Sequence, residues 1–86
     1  MVIKELNEFG DTFYHNERGD LHREDGPAIE YTDGSKEWCI NNLFHRIDGP
    51  AVEWVGICKL KQYFLMDKLY SYEDWLVIKD FPLLWS

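Results

Sequence analysis

Apolar and polar side chains alternate in short bursts along this chain, and turn residues break the bursts every few positions. Ala28-Ile29-Glu30-Tyr31-Thr32 is one such run and Ser35-Lys36-Glu37-Trp38-Cys39-Ile40 is the next, with Asp33-Gly34 between them. A two-residue period belongs to a strand with one buried face. Asp-Gly between two such runs reads as a tight hairpin turn, because both positions favour positive φ. Asn41-Asn42 offers a second turn before Leu43-Phe44-His45. Two-residue turns at both places set Ile29 opposite Trp38, Tyr31 opposite Lys36, Ile40 opposite Leu43 and Trp38 opposite His45. Ile29, Tyr31, Trp38, Ile40 and Leu43 then share one face, and Glu30 meets Glu37 on the other, a mildly unfavourable like-charge pair.

The same reading extends to both ends. Val2 to Leu6, the turn Asn7-Glu8-Phe9-Gly10 and the run Asp11 to Tyr14 predict an opening hairpin within residues 1–16. Ser71 followed by Glu73 and Asp74 is a helix start, a serine cap with acids in the first turn. The helix should run over 72–80 with Tyr72, Trp75, Leu76 and Lys79 aligned, and Pro82 should stop it. Phe81 to Ser86 is left as a short apolar tail.

An internal repeat organises the middle. His22-Arg23-Glu24-Asp25-Gly26-Pro27-Ala28-Ile29-Glu30-Tyr31 recurs 23 residues on as His45-Arg46-Ile47-Asp48-Gly49-Pro50-Ala51-Val52-Glu53-Trp54. Periods in this range indicate stacked supersecondary units. Proline gives no N–H to a ladder, so Pro27 and Pro50 belong at corners or strand starts, and Gly26 and Gly49 are expected to supply unusual backbone angles there. Gln62 to Tyr70 forms a third unit that keeps the strand pattern and loses the His-Arg corner.

The pattern W-Y-x-N-G-x-x-H-R-x-D-G-P-A resembles the MORN-like repeat proteins of bacteria and their phages. Trp38, Asn41, His45, Arg46, Asp48, Gly49, Pro50 and Ala51 match it, and His22, Arg23, Asp25, Gly26, Pro27 and Ala28 match its second half. Cys39 stands where that pattern has tyrosine and Asn42 where it has glycine, which implies a stiffer second turn. The resemblance covers residues 11–70. It implies an interaction module rather than any particular activity. The expected fold class is therefore mainly β: a single domain over 1–86, an antiparallel meander of stacked hairpin repeats with one short C-terminal helix.

Charge narrows the range of partners. With 16 acidic and 9 basic side chains the net charge is −7, which disfavours phosphate backbones and anionic membranes and suits a basic protein. No apolar stretch approaches the roughly 20 residues of a membrane span, and the first residues lack the basic head of a signal peptide. A cytoplasmic location is the expectation, with Cys39 and Cys58 as free thiols.

Candidate chemistry centres on the corners. His22 with Asp25 and His45 with Asp48 could be read as metal ligands or acid–base pairs, but histidine with aspartate three residues on is a loose match to any ligand set. Repetition favours structure: each Asp is expected to accept backbone N–H groups beside its Arg, and each His to cover an aromatic ring. Gly26, Pro27, Gly49 and Pro50 complete those corners. The five Ser and Thr residues sit at turns and caps, without a nucleophile setting, so no catalytic residue, metal or cofactor is expected. Arg23, Arg46, Trp38, Trp54 and the tail residues Leu83, Leu84 and Trp85 are the binding candidates. The first functional expectation is a non-catalytic protein-binding module, of the kind a phage or bacterium uses as an accessory or inhibitor of a host protein, with a homodimer through the tail as one assembly. The alternative is a small-molecule binder that sequesters a nucleotide signal through Arg23, Arg46 and aromatics at a subunit interface. A hydrolase built on the repeated His and Asp is a distant third.

Overall fold

The computed structural model describes residues 1–86. In chain order the strands are β1 (Ile3–Leu6), β2 (Thr12–His15), β3 (Ile29–Glu30), β4 (Lys36–Glu37), β5 (Cys39–Ile40), β6 (Leu43–Phe44), β7 (Val52–Trp54), β8 (Leu60–Leu65) and β9 (Lys68–Tyr70). Helix α1 (Tyr72–Ile78) and a 3₁₀ turn at Pro82–Leu84 follow. Seven strands form one antiparallel sheet in the order β1-β2-β3-β4-β7-β8-β9, and the β5–β6 hairpin leaves it between β4 and β7 as a small sheet of its own. The fold is the mainly β meander with a short C-terminal helix that the residue pattern predicts.

Two kinds of turn alternate. Asn7–Asp11, Asn16–Asp20 and Tyr31–Ser35 are each closed by the same pair of backbone hydrogen bonds, as in Gly34 N to Tyr31 O at 3.0 Å and Tyr31 N to Ser35 O at 2.9 Å. Gly10, Gly19 and Gly34 hold the left-handed position in them, with φ of 86°, 88° and 94°. This is the three-residue hairpin loop, a type I turn closed by a glycine bulge. The other kind is the two-residue turn with positive φ at both positions, found at Asn41-Asn42 and at Met66-Asp67.

The loop at residues 32–34 corrects the predicted register. An extra loop residue shifts β4 by one position, so Ile29 pairs with Glu37 and Glu30 with Lys36. The like-charge pair of Glu30 and Glu37 therefore does not form. Glu30, Lys36, Glu53 and Lys61 instead lie side by side across four strands with alternating sign. Trp38 falls on the face opposite Ile29 and Tyr31 rather than beside them. Beyond Trp38 the prediction stands: Ile40 pairs with Leu43, and the His45 amide donates to the Trp38 carbonyl at 3.1 Å. Trp38 is where the strand changes sheets, since its own amide donates to Ala51 O in the main sheet at 2.7 Å.

The body is thin, 39 × 33 × 16 Å, and few side chains are wholly enclosed. Ala28 and Ala51 have no exposed surface, and Ile29, Val52, Cys39, Leu65 and Trp75 complete the buried apolar set. Ser71 caps α1 by accepting the Asp74 amide at 3.1 Å, and Trp75 is the residue the helix buries. No helix is long and apolar enough to cross a membrane.

The two cysteines are both free and differ sharply in setting. Cys39 is buried in β5, and burial together with nearby Glu37 pushes its thiol pKa up to about 12, whereas Cys58 is exposed. Under native conditions one equivalent of a thiol reagent should react quickly, at Cys58, and the second only after unfolding. Equal rates in a native titration would show that Cys39 is not enclosed.

Candidate functional site

Each repeat corner is built around its arginine. The Arg46 guanidinium lies 3.6 Å from the centre of the Trp38 ring, and that of Arg23 lies 4.0 Å from the centre of Tyr14. Arg46 Nε donates to Asp48 Oδ1 at 3.0 Å and Nη1 to Pro50 O at 3.1 Å, while Arg23 does the same to Asp25 at 3.1 Å and Pro27 O at 3.2 Å. Arg23 also reaches Glu30 at 3.5 Å. A Cβ on Gly49 would stand 2.7 Å from the Arg46 guanidinium carbon, and one on Gly26 would stand 2.9 Å from that of Arg23. Neither glycine has positive φ. They are needed for the space under the guanidinium and not for a backbone angle, which corrects the expectation for both.

The aspartates also differ from expectation. Asp25 and Asp48 are 88% and 81% exposed, and each accepts from its arginine instead of from backbone amides. The histidines instead take up backbone amides, and these belong to the two-residue turn of the following unit. His22 Nδ1 accepts from Asn41 N, and His45 Nδ1 accepts from Met66 N, both at 3.1 Å. His45 covers an aromatic, the Trp85 ring at 4.7 Å, whereas the other ring nitrogen of His22 faces Glu24 at 3.8 Å.

Every corner is received by the next unit through matching bonds. Leu21 N donates to Asn42 Oδ1 and Asn42 N to Leu21 O; Phe44 N donates to Asp67 Oδ1 and Asp67 N to Phe44 O. Arg23 N reaches Cys39 O and Arg46 N reaches Phe64 O. The third unit thus keeps the receiving turn. It has no corner to pass on, and Trp75 of α1 stands over Tyr63 at 4.8 Å where the earlier units place arginine over Tyr14 and Trp38. The Trp75 indole N–H donates to Arg46 O at 3.0 Å, tying the helix to the last corner.

Among the binding candidates, Arg23, Arg46 and Trp38 are therefore joined in these stacks. They line an open groove of about 530 Å³ between the two corners, with Glu24, Asp25 and Asp48 at its edges. Trp54 is half exposed and lies elsewhere, its indole N–H donating to Glu37 Oε2 at 3.1 Å. The tail divides. Trp85 folds back onto His45 and donates to Lys79 O at 3.3 Å, while Leu83 and Leu84 face outward, Leu83 at 95% exposure.

The sequence reading missed a second hollow, of about 500 Å³, between the loops at 31–35 and 54–58. Tyr31, Trp54, Asp11 and Asp33 line it. Behind it sits Glu37, only 8% exposed, accepting from the Tyr31 hydroxyl at 3.2 Å as well as from Trp54. Burial and Glu37 push the Tyr31 pKa up to about 12. The slipped hairpin register concealed this grouping, since it set Tyr31 on the face of Trp38 and away from Glu37.

Fold and site together define an antiparallel stack of arginine-cornered hairpins closed by a helical cap. Comparison with known proteins finds no matching family model, no matching characterised protein and no matching solved structure.

Two measurements test the corners. Gly49→Ala should cost about 1–3 kcal/mol, because the methyl group displaces the guanidinium from its ring. Asp48→Ala should cost less than about 1 kcal/mol, since its pair is largely solvated. Chemical denaturation of both variants checks the order, and the reverse order would make the aspartate the centre of the corner.

His15 and His45 should titrate on opposite sides of the ordinary imidazole value. In His15, Nδ1 donates to Asn16 O at 2.9 Å and Nε2 to Glu5 at 2.7 Å, which favours the charged ring and raises its pKa. Burial lowers that of His45. His15 therefore adds stability that is full below its unfolded pKa and is lost as pH rises through the raised folded value. His45 adds stability that is present above its unfolded pKa and is lost as pH falls through the lowered folded value. Side-chain ¹⁵N spectra across pH 4–9, a span of about two units or more either side of the imidazole value, should find His15 titrating above His45.

Proposed function

We propose that this chain is a non-catalytic protein-binding module whose partner is a basic protein. The observation that carries this reading is the uncovered apolar surface at the C-terminal end. Leu76, Val77, Phe81, Leu83 and Leu84 are all exposed, and so is Leu69 of β9, the strand that contacts α1. Leaving large apolar side chains in water forgoes about 1.5–3 kcal/mol each, and patches of this kind mark interaction surfaces. The net charge of the chain, −7, favours a basic counterpart and opposes a second copy of the chain. The resemblance to MORN-like repeats supports a role as an accessory or inhibitor protein of bacterial or phage type acting on a host protein in the cytoplasm. The nucleotide alternative has less support, because both guanidinium groups are already engaged by carboxylate, prolyl carbonyl and ring.

Affinity capture followed by titration of the purified partner tests the proposal. Leu83→Asp combined with Leu84→Asp should weaken binding about tenfold or more while leaving the melting temperature close to that of the parent. Unchanged affinity would remove the tail from the interface. Light scattering that shows a dimer in the parent and a monomer in the variant would replace the partner with a second copy.

A further inference from the structure

We propose that the hollow between the loops at 31–35 and 54–58 is a receptor for an arginine side chain of the protein partner, an inference that rests on the binding-module reading. The chain twice solves the problem of holding a guanidinium group, and it does so the same way each time. Arg23 lies over Tyr14 with Nε on Asp25, and Arg46 lies over Trp38 with Nε on Asp48. A flat cation meets an aromatic face, and an adjacent carboxylate accepts its N–H.

The hollow repeats the aromatic and acidic parts of that arrangement without the cation. Tyr31 and Trp54 line it, and both direct their polar atoms back onto Glu37. Asp33 Oδ1 accepts the Ser35 amide at 2.8 Å, while its Oδ2 has no protein donor and lies 3.4 Å from the place a Cβ on Gly56 would take. Asp11 supplies a second carboxylate at the edge. No lysine or arginine is among the lining residues, and Asp11, Asp33 and Glu37 enter no ion pair.

Glu37 adds an observation of a different kind. This glutamate is only 8% exposed, and its carboxylate is held by two neutral donors, the Tyr31 hydroxyl and the Trp54 indole N–H. Glu37 forms no ion pair within the chain, so its charge adds to that of Asp11 and Asp33 in drawing a cation to the hollow. The loops that form the walls are fixed before a ligand arrives: Ser35, itself buried, accepts the Val55 amide on its hydroxyl at 3.1 Å. The planar, weakly hydrated guanidinium suits such a site better than the compact ammonium of lysine.

The test uses the intact protein and a small probe, acetyl-Gly-Arg-Gly-amide, with the citrulline peptide as its neutral isostere. Titration followed by ¹H–¹⁵N spectra should move the Trp54 indole resonance and the Gly34 and Gly56 amides saturably in the millimolar range. The citrulline peptide should leave them in place, and Asp33→Asn, which keeps the oxygen that accepts from Ser35, should weaken the probe about threefold or more. Absence of saturable shifts, equal shifts with citrulline, or shifts centred on Trp38 would overturn the assignment. The outcome concerns the hollow alone. A partner captured with undiminished affinity by Asp33→Asn would leave the binding-module reading standing and refute this one, whereas loss of capture through the Leu83 and Leu84 changes does not alter the probe result.

Discussion

The stack of a guanidinium on an aromatic ring, with a glycine leaving room beneath it, is the contact on which the other parts depend. It joins Tyr14 with Arg23 and Trp38 with Arg46, and turns the chain through the corner that starts the next strand. A sheet only 16 Å deep has little space for a conventional second layer. Long arginine side chains lying flat over the rings serve as part of that layer: their methylene stems cover apolar surface and their charged ends stay near water beside Asp25 and Asp48. Ala28 and Ala51 have no exposed surface, their carbonyls accept the amides of Tyr14 and Trp38 at 2.7 Å, and a larger residue at either place would have to displace its neighbours.

The pattern of residues carried most of the architecture. The repeat, the opening hairpin, the Asn41-Asn42 turn and the serine-capped helix all depend on local chemistry that single residues declare: positive φ, a side-chain oxygen near a free amide, a period of two. What escaped was the choice between two loops that a single Asp-Gly allows. A two-residue and a three-residue connection differ by one position, and one position reverses which side of the sheet every later side chain faces. That slip moved Trp38 to the wrong face and placed Glu30 against Glu37 instead of Lys36.

The candidate site was legible in part and for a related reason. Arg23, Arg46, His22, His45 and the glycines stand out because they recur, and the structure places them in one arrangement built twice. The division of roles within them was not readable, because aspartate and histidine can each accept from an amide and only geometry decides between them. The hollow at Tyr31 and Trp54 does not recur. Its residues come from separate loops, linked by the bond from Val55 to Ser35 and by Glu37, whose neighbours follow from the register.

The way each corner is received by the following turn makes length a free variable of this protein. Leu21 with Asn42 and Phe44 with Asp67 form the same junction, and neither junction touches the opening strand β1. Trp75 imitates the missing third corner arginine well enough to end the series. A further copy of the 23-residue unit inserted between the existing two would meet a matching acceptor on one side and a matching donor on the other. Each added strand would widen the sheet by about 4.8 Å, with both ends unaltered. Duplication within the gene could thus change the span of the sheet without inventing a new contact, and the helix works as punctuation that any number of units can share.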